Sequence, residues 1–433
     1  MKPHILIYSL NYFPELIGIG KYNTEMANWL VNEGYDVDVV CAPPYYPSWE
    51  LSPGFSGWRY SCNHYGLVSV HRCPVWLPKK LSGINRILHL FSFAISSAIQ
   101  FIWLIFKKKI SGVESIIFLV EPPIFCLPAV LIASKIFQFK VWLHVQDFEI
   151  DAGFSLGLLP SFPRLTVLVG SIENWLMQKV QVVSTISAQM SLRLYQKGVK
   201  LDKCVYFPNW VDCNAIHPIN ETNEYRAQLG ISEDKIVCLY SGNLGAKQGI
   251  SILIEAARIL ECTEKIVFVI AGQGPMKRVL VEQARCLSNI YFLDLQPSER
   301  FNALLNMADI HLLPQASGVG DLVLPSKLKA MLASGRPVIA TAYPGTQVFN
   351  IVQTCGVAVP PEEVQELTKA IADLANHHQK RQKLGSEGRK YALSHWDREQ
   401  VLSQFESKLR KLIFTGKLVN QDLDSEAQKT ITA

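Results

Sequence analysis

The chain has 433 residues, 49% of them hydrophobic and 18% charged, with a formal net charge of +5. This length exceeds one ordinary hydrophobic core, so we expect two domains. The charge is mild and forms no dense basic stripe with interleaved aromatic residues, which argues against nucleic acid as a partner and favours an anionic small molecule or a membrane surface.

The first half of the chain alternates short β-type runs with helical patterns. Its start lacks the basic segment, the longer apolar segment and the small-residue cleavage site of a signal peptide, so we expect a cytoplasmic protein. The ten cysteines are scattered without a Cys-x-x-Cys pair, which indicates reduced thiols and no zinc site. The alternation predicts a parallel sheet covered on both faces, with strands at Ile5–Ser9, Val37–Cys41, Val68–His71, Ser115–Val120 and Val141–Val145.

The loop after the first predicted strand is expected to lie at the sheet edge where the parallel strands end. Gly18-Ile19-Gly20 precedes a helical pattern, so its amides face a ligand or simply form a tight turn. Tyr12 and Glu15, in the same loop, are weaker candidates for a ligand-binding role.

His144 and Asp147 end the fifth predicted strand. An acid at the carboxyl end of a strand often faces a site, so Asp147 is expected to orient a substrate hydroxyl. His144 either bonds a ligand group or is a satisfied, partly buried histidine.

The segment Ile87–Phe106 is long and apolar enough to span a membrane. However, Ser92, Ser96 and Gln100 recur at helical spacing and form one polar stripe. With its basic flanks, including Lys107-Lys108-Lys109, the pattern favours an in-plane helix on the cytoplasmic leaflet, with Phe101 and Trp103 in the membrane. The alternative is a buried helix that covers the sheet.

A second series of alternating elements follows the turn-rich stretch Phe207–Asp212. Its pattern predicts another doubly wound sheet of similar size, and ligands of such sheets bind beyond the carboxyl ends of the strands. The predicted strands are Ile236–Tyr240, Ile266–Ala271, Ile290–Leu293, Ile310–Pro314, Val338–Thr341 and Val357–Val359.

Two glycine-bearing turns in this half join a strand to a helical pattern. The first runs Tyr240-Ser241-Gly242-Asn243-Leu244-Gly245-Ala246-Lys247-Gln248-Gly249, and the second is Gly272-Gln273-Gly274-Pro275. Such turns aim backbone amides and a helix N-terminus at an anion, although neither is a P-loop or a strict dinucleotide fingerprint. Plain strand-to-helix turns are the alternative.

Lys327, next to Ser326 at the start of another helical pattern, is a second candidate cation. Together with Lys247 it would balance a diphosphate without a metal. The alternative is that Lys327 is a solvated surface charge.

An ordered series of motifs in the second half matches one known family. The matching residues are Pro208, Asn209, Val211, Asp212, Gly242, Lys247, Gly249, Gly272, Gly274, Pro275, Ala308-Asp309-Ile310, Leu313-Pro314, Pro325-Ser326-Lys327-Leu328 and Gly335-Arg336-Pro337-Val338-Ile339. This half resembles the retaining glycosyltransferases of family four, and the first half looks like the same family more loosely. Among subfamilies, Ser241–Gly245 with Asn209–Asp212 looks most like bacterial exopolysaccharide and O-antigen enzymes of the colanic-acid type.

The resemblance implies an α/β protein of GT-B fold, with two doubly wound Rossmann-like domains facing across a cleft. Residues 1–205 would form the acceptor-side domain, 206–395 the donor domain, 396–412 a helix packing back on the first domain, and 413–433 a mobile tail. It further implies transfer of a sugar, with retained anomeric configuration, from a nucleoside diphosphate sugar to a lipid-linked glycan. The reaction would take place at the inner face of the plasma membrane and would need no metal or other cofactor.

The resemblance also assigns roles to individual positions. Lys247, Lys327 and Asp147 are the expected catalytic residues, and His144, Tyr12 and Glu15 are expected on the acceptor side. The expected donor-binding residues are Gly18, Gly20, Gly242, Asn243, Gly272, Gly274, Pro275, Asp321 and Ser326.

Two features depart from the family pattern, an acidic pair and one arginine position. The usual Glu-x7-Glu pair falls on Leu322 and Ala330 or, in another register, on Asp321 and Lys329, so Asp321 is the only nearby acid that can replace one of them. Asn243 stands where many relatives have arginine. Two alternatives remain open. One is a nucleotide-sugar epimerase of the same fold, which would use the same donor clamp, and the other is a non-catalytic nucleotide-sugar-binding or assembly protein, which the missing acids favour.

Overall fold

The structure is a computed structural model that describes residues 3–80, 82–148, 163–219, 221, 223–317 and 324–416. The chain divides into two compact units. Unit 1 comprises Met1–Pro208 and the residues from Leu402 onward, and unit 2 comprises Asn209–Val401. The last helix begins at Arg398 and ends at Thr415, so it extends beyond the helix predicted for 396–412.

In its described part, unit 1 contains a sheet built on continuous apolar runs. The strands are β1 (His4–Tyr8), β2 (Asp36–Cys41), β3 (Ser61–Tyr65), β4 (Val68–Arg72), β5 (Ser115–Glu121), β6 (Lys140–Val145), β7 (Val182–Thr185) and β8 (Cys204–Tyr206). Their spatial order is β3-β4-β2-β1-β5-β6-β7-β8. All neighbours pair in parallel except β3 and β4, which form an antiparallel edge pair.

Helices cover this sheet because their apolar residues recur at helical spacing and pack onto buried strands. They are α1 (Gly18–Asn32), α2 (Gly83–Ile110), α3 (Leu127–Phe137), α4 (Pro163–Lys179) and α5 (Ala188–Gln196). The central strands β1 and β5 are fully buried, so they form the middle of the core.

Unit 2 repeats this architecture with a smaller sheet. Its strands are β9 (Ile236–Ser241), β10 (Ile266–Ala271), β11 (Ile290–Leu293), β12 (Ile310–Leu313), β13 (Val338–Thr341) and β14 (Gly356–Val359), in the order β11-β10-β9-β12-β13-β14. Every pair is parallel. Its helices are α6 (Glu224–Leu229), α7 (Ser251–Ile259), α8 (Lys277–Gln283), α9 (Phe301–Asn306), α10 (Ser326–Ala333), α11 (Gln347–Cys355), α12 (Val364–Asn376) and α13 (His378–His395), and α14 (Arg398–Thr415) follows.

Three strands were not predicted from the sequence. β3 is an exposed polar edge strand, and β7 and β8 are only four and three residues long. Such segments carry too little apolar periodicity to be recognised without their neighbours.

Helix α2 turns its polar stripe toward the protein. Ser92 Oγ accepts from the Trp76 amide at 2.9 Å, Ser96 Oγ donates to the Pro74 carbonyl, and Gln100 Nε2 lies 3.2 Å from His71 Nδ1. Phe101 is fully buried and stacks on Tyr8, so the expectation that it faces a membrane is wrong. The helix therefore packs on unit 1 through a mixed polar and apolar side.

The opposite side of α2 is apolar and exposed. It continues over α3, which packs against both α2 and α4. We call this surface the apolar face. Its exposed members are Ile84, Leu88, Phe91, Ile95, Ile99, Ile102, Trp103, Phe106 and Ile110 of α2, Ile132 and Ile136 of α3, and Val167, Leu168, Ile172 and Trp175 of α4.

Among the described residues, α2 is the one helix whose length and composition would allow it to cross a membrane. Of its most apolar 18-residue window, 39% is buried inside unit 1. The sequence left two alternatives open, a helix in the plane of a membrane and a buried helix that covers the sheet. Helix α2 has features of both, because it covers the sheet on one side and exposes an apolar stripe on the other.

The C-terminal end of α2 is fixed by a buried ionic cluster. Lys108 Nζ lies 3.0 Å from Asp38, whose other contacts are His4 Nε2 at 3.0 Å and His71 Nε2 at 3.1 Å. Burial alone would raise the pKa of Asp38, but hydrogen bonds from the two histidines and Lys108 outweigh it and lower this pKa. Lys108 is thus a structural residue and not a free basic flank.

Candidate functional site

The chain order places a crevice at the middle of the unit 2 sheet. From β9 the chain proceeds outward to β10 and β11, and then returns to build β12, β13 and β14 on the other side. The loops after β9 and β12 therefore diverge at the point where the strand order reverses, which is where open α/β sheets bind ligands.

The two glycine turns interlock at this edge. The amides of Gly242 and Leu244 donate to the carbonyls of Ala271 and Gln273 at 2.9 and 2.8 Å. A Cβ on Gly272 would lie 1.9 Å from the Gly242 carbonyl oxygen, and one on Gly274 would lie 2.5 Å from the Leu244 carbonyl oxygen. Glycine is thus required here by backbone packing, and the Gly242 and Leu244 amides are already committed to partners other than a phosphate.

Lys327 lies at the second position of α10 and its ammonium group is enclosed beside Gly242. A Cβ on Gly242 would come within 3.2 Å of Lys327 Nζ, so the absence of a side chain makes room for this cation. Lys327 Nζ donates to the Tyr240 hydroxyl at 2.9 Å and lies 4.4 Å from the centre of its ring. Burial lowers the pKa of Lys327 to about 8.

Lys247 lies on a 3₁₀ turn, Ala246–Gln248, ahead of α7, and its side chain is exposed. The turn packs directly against the loop after β12. The Ala316 amide donates to the Lys247 carbonyl at 3.2 Å, and a Cβ on Gly249 would lie 2.9 Å from the same amide nitrogen. Lys247 therefore stands at the rim of the crevice between β9 and β12.

The other expected donor-side residues surround this crevice less closely. Asn243, Pro275 and Ser326 are exposed, and the Asn243 carbonyl accepts from the Tyr240 hydroxyl at 2.7 Å. Asp321, together with Leu322, lies outside the described residues.

The second register of the Glu-x7-Glu region places Lys329 at an acidic position. Lys329 is buried, and its Nζ lies 5.2 Å from the centre of the Trp396 ring. Ala330, the position in the first register, has no polar side chain. Neither residue offers a carboxylate to a sugar or ribose.

Unit 1 has a corresponding reversal of strand order between β1 and β5, and a pocket lies there. Its volume is about 200 Å³. Since a cavity of about 150 Å³ in another protein holds benzene, the pocket has room for a single six-membered ring. Its lining comes from the loops after four strands and from the start of α2: Leu10, Asn11, Gly18, Ile19, Tyr45, Tyr46, Trp49, Arg86, His89, Leu90, Pro122 and Asp147.

This pocket brings together two residues that the sequence singled out, Gly18 and Asp147. Asp147 is exposed, and Gly18, at φ +59°, is the first residue of α1. Sequence reasoning missed the aromatic wall formed by Tyr45, Tyr46 and Trp49. The cluster Pro43-Pro44-Tyr45-Tyr46-Pro47 after the second predicted strand was an available signal, because aromatic residues in a loop beyond a strand often face a ligand.

Glu15 and Gly20 shape this pocket from behind. The Glu15 carboxylate accepts from the amides of Tyr45 and Tyr46, both at 2.9 Å, and from Asn11 Nδ2 at 2.8 Å. Burial raises the pKa of Glu15, and these hydrogen bonds offset part of the rise. A Cβ on Gly20 would lie 2.9 Å from Glu15, so the two residues pack tightly together.

His144 and Tyr12 are buried side chains. His144 lies in β6, with Nδ1 2.8 Å from Ser184 Oγ and its ring stacked on Phe118. Burial lowers the pKa of His144 to about 3, so the ring is neutral at physiological pH. Tyr12 is also buried. Direct contact of either side chain with a substrate, as expected from the sequence, conflicts with this burial.

A metal ion would need a cluster of ligating side chains. Within the described ranges, no group of three or more His, Cys, Asp or Glu residues is placed to hold one.

Two family models together match most of the chain. The model described as "Glycosyl transferase 4-like domain" matches residues 18–210, and the one described as "Glycosyl transferases group 1" matches residues 221–391. Their boundary coincides with the region between the two units.

A curated relative matches over nearly the whole length. The chain is 38% identical over 418 residues to a protein of Escherichia coli (strain K12) named as a colanic acid biosynthesis glycosyl transferase, WcaI, covering 94% of this chain and 99% of the relative.

Solved structures show the same fold at low sequence identity. Sucrose-phosphate synthase from Thermosynechococcus elongatus superposes with a TM-score of 0.71 at 17% identity, covering 96% of this chain and all (100%) of that one. Anabaena HepE, in complex with UDP-glucose, gives a TM-score of 0.64 at 16% identity, with 94% and 100% coverage. The chain therefore belongs to the family-four glycosyltransferases of GT-B fold, and it is a glycosyltransferase of polysaccharide biosynthesis.

Proposed function

We propose that this glycosyltransferase moves a sugar, with retained anomeric configuration, from a nucleoside diphosphate sugar to a lipid-linked glycan acceptor at the inner face of the cytoplasmic membrane. The observation that carries the proposal is the enclosed Lys327 ammonium beside Gly242, at the strand-order reversal of unit 2. The UDP-glucose bound to Anabaena HepE supports a nucleotide sugar as the donor class.

The chemistry follows from where positive charge is fixed. Departure of the diphosphate concentrates negative charge on its leaving oxygen, so a preorganised cation there stabilises the transition state more than the ground state. Lys327 is held by Tyr240, and the Gly242 and Leu244 amides are committed to the neighbouring loop. Side-chain charge, from Lys327 and from Lys247 at the rim, is therefore the main source of this stabilisation.

The donor part is tested with lysine variants and nucleotide release as the assay. Lys327→Ala should lower the transfer rate by about 10²-fold or more, the cost of losing one preorganised donor, and Lys247→Ala tests the rim. Lys265→Ala is the matched control, because Lys265 is exposed and immediately precedes β10 at the opposite edge of the sheet. Equal rates for Lys327→Ala and the control would contradict the role of Lys327.

Stereochemistry is tested separately on the product. The anomeric coupling constant in the proton NMR spectrum, recorded at early times, reports the configuration of the new bond. A product inverted relative to the donor would overturn the retaining mechanism while leaving the donor clamp intact.

The membrane part rests on the apolar face. An exposed apolar surface that spans three helices marks an interaction site. Two tryptophans on it have a lysine four residues later over the ring, Lys107 above Trp103 and Lys179 above Trp175, both at 5.4 Å. Tryptophan with a lysine that reaches toward headgroups is typical of the membrane–water interface, so a lipid surface is the occupant that fits best.

Flotation with anionic vesicles tests this surface. The parent should float at low salt and be partly released at high salt, because the interaction combines apolar burial with charge attraction. The double variant Trp103→Ser, Trp175→Ser should stay in the soluble fraction and keep its donor binding. Trp58→Ser is the matched control, since Trp58 is 80% exposed but lies outside the apolar face. A parent that fails to float at low salt would refute the membrane assignment.

A further inference from the structure

An aspartate and a lysine lie in contact where β11 ends, at the same edge of the unit 2 sheet as Lys327. We propose that Asp294 and Lys277 bind the base of the nucleotide donor and select guanine, so that the donor is a guanosine diphosphate sugar. This inference rests on the proposed function in one respect, namely that a nucleoside diphosphate sugar binds to unit 2, and it names the base of that donor.

The position of this pair follows from the sheet. β11 pairs with β10, and β10 pairs with β9, so the loop after β11 lies two strands away from the loop that begins at Gly242. Neighbouring strands are about 4.8 Å apart, which gives roughly 10 Å between the two loops. Lys327 Nζ lies beside Gly242. A diphosphate held there leaves a distance to Asp294 that a ribose and a base can bridge.

The glycine turn between β10 and α8 brings the lysine to the aspartate. Lys277 is the first residue of α8, and its ammonium group forms an ion pair with Asp294 Oδ1. Gln273 Nε2, from the same turn, donates to this oxygen at 2.6 Å. The Gln273 carbonyl also accepts from the Leu244 amide in the loop after β9. The pair is therefore attached to the loops that surround the Lys327 ammonium group.

One oxygen of the Asp294 carboxylate is available to a ligand. The side chain is 71% exposed. Both hydrogen bonds to it come to Oδ1, and within the described part of the chain Oδ2 accepts none. An ammonium group has three donor hydrogens, and the ion pair with Asp294 uses one of those of Lys277. The pair thus presents a negatively charged acceptor directly beside a cationic donor.

This arrangement is complementary to the Watson–Crick edge of guanine. Guanine presents two adjacent donors, N1–H and the N2 amino group, next to the acceptor O6. A carboxylate can accept from both donors while Lys277 donates to O6. Uracil and thymine present one donor, N3–H, between two carbonyl oxygens, so one of these oxygens would face the negative carboxylate. Adenine has a single amino group on this edge and nothing in place of the second donor.

Binding of free nucleotides to the full-length protein is measured by isothermal titration calorimetry. The probes are GDP, UDP, ADP and dTDP. GDP should bind at least about 10-fold more tightly than each of the others, the discrimination expected of one bidentate contact to a base. If another nucleotide binds as tightly as GDP, this inference is wrong and the nucleotide donor of the proposed function stands. If none of the four binds, both are wrong.

Replacing Asp294 with asparagine assigns the discrimination to this residue. An amide presents one acceptor and one donor, which suits N3–H and a neighbouring carbonyl of uracil. Asp294→Asn should therefore lose the preference for GDP over UDP. Asp234→Asn is the matched control and should keep that preference, because Asp234 is an exposed aspartate that precedes β9, at the opposite edge of the sheet. An unchanged ratio of the two affinities in Asp294→Asn would refute the assignment.

The ratio also separates recognition of the base from damage to the fold. If Asp294 only held Lys277 and the turn in place, Asp294→Asn would weaken GDP and UDP by the same factor, which would contradict the inference. Lys277→Met should weaken GDP by about 10-fold, the scale of one charge-assisted hydrogen bond, and unchanged GDP binding would exclude its contact with O6. Lys327→Ala should weaken all four nucleotides alike. A GDP preference that depends on Asp294 without any effect of Lys327→Ala would contradict the proposed diphosphate site and leave this inference intact.

Discussion

Replacing Lys327 with methionine separates the cost of burying its charge from the benefit of that charge in catalysis. Burial lowers the pKa of Lys327 from 10.5 to about 8. Each pKa unit corresponds to about 1.4 kcal/mol, so burying the charged form costs the folded protein roughly 3 kcal/mol. We expect Lys327→Met to be more stable than the parent at pH 7 by up to this amount and slower in transfer by about 10²-fold or more.

The sign of the pH dependence makes the stability gain specific. Between pH 8 and 10.5 the unfolded chain retains a proton that the folded parent has lost, so the stability of the parent rises with pH in this window. The stability difference between Lys327→Met and the parent should thus be complete below about pH 8 and nearly vanish above about pH 10.5. Lys247→Met, at an exposed lysine, is the matched control.

Thermal unfolding at pH 7 and pH 10, followed by tryptophan fluorescence, measures the effect. For a unit of this size about 1 kcal/mol moves the melting temperature by about 2–4 °C, so the gain at pH 7 is at most roughly 6–12 °C. A difference between variant and parent that is the same at both pH values would show that the charge of Lys327 carries no burial penalty. In the parent, kcat/KM should fall above about pH 8, where free Lys327 loses its proton, whereas bound diphosphate should move the corresponding decline in kcat to higher pH.

Two further substitutions test structural features at the two sheets. Gly272→Ala places a Cβ 1.9 Å from the Gly242 carbonyl oxygen and should lower the free energy of unfolding, measured in urea, by about 3 kcal/mol or more. The control Gly345→Ala has open space around its Cβ and only an unfavourable φ of +88°, so it should lower this free energy by only about 1 kcal/mol. Asp38→Asn removes the buried partner of two histidines and a lysine and should cost about 3 kcal/mol, while Asp36→Asn, at a carboxylate 56% exposed, should cost under about 1 kcal/mol. Because the folded-state pKa of Asp38 is lowered, its contribution should be complete above about pH 4 and should decline progressively as the pH falls below that value.

The strands of both sheets were largely predictable because parallel strands buried on both faces read as continuous apolar runs. Runs such as Ile266–Ala271 have the same bounds in the sequence prediction and in the structure. The resemblance to a known family made the overall fold predictable as well. The surroundings of individual side chains were harder to predict, because the pattern assigns a residue to a strand but does not show which side chains pack against it. His144 is an example, since its burial depends on Phe118 and Ser184 from neighbouring strands.

The two candidate sites differ in how much of each could be predicted from the sequence. The unit 2 crevice is built from contiguous motifs, so Gly242, Lys247 and Lys327 were identified. The hydrogen bonds from the Gly242 and Leu244 amides to the Ala271 and Gln273 carbonyls depend on the pairing of β9 with β10 and were not predictable from these motifs. The unit 1 pocket is assembled from loops after four strands and one helix. Trp49 and Arg86 are 37 residues apart by their numbers, and no local pattern relates them.

Helix α2 shows why periodicity identifies an amphipathic helix but not the direction in which it faces. The polar stripe was interpreted as the side away from a membrane and the apolar remainder as the side within it. In the structure the side chains of the polar stripe form hydrogen bonds with the backbone of Pro74 and Trp76 and with His71. The polar side of the helix is therefore the side that packs on the protein. The partner of a polar side chain is then protein and not water, and the apolar side remains uncovered. Because the serines pack on the protein, the exposed residues of α2 between Leu88 and Phe106 are all apolar, which strengthens the physical case for contact with lipid beyond what the stripe itself suggested.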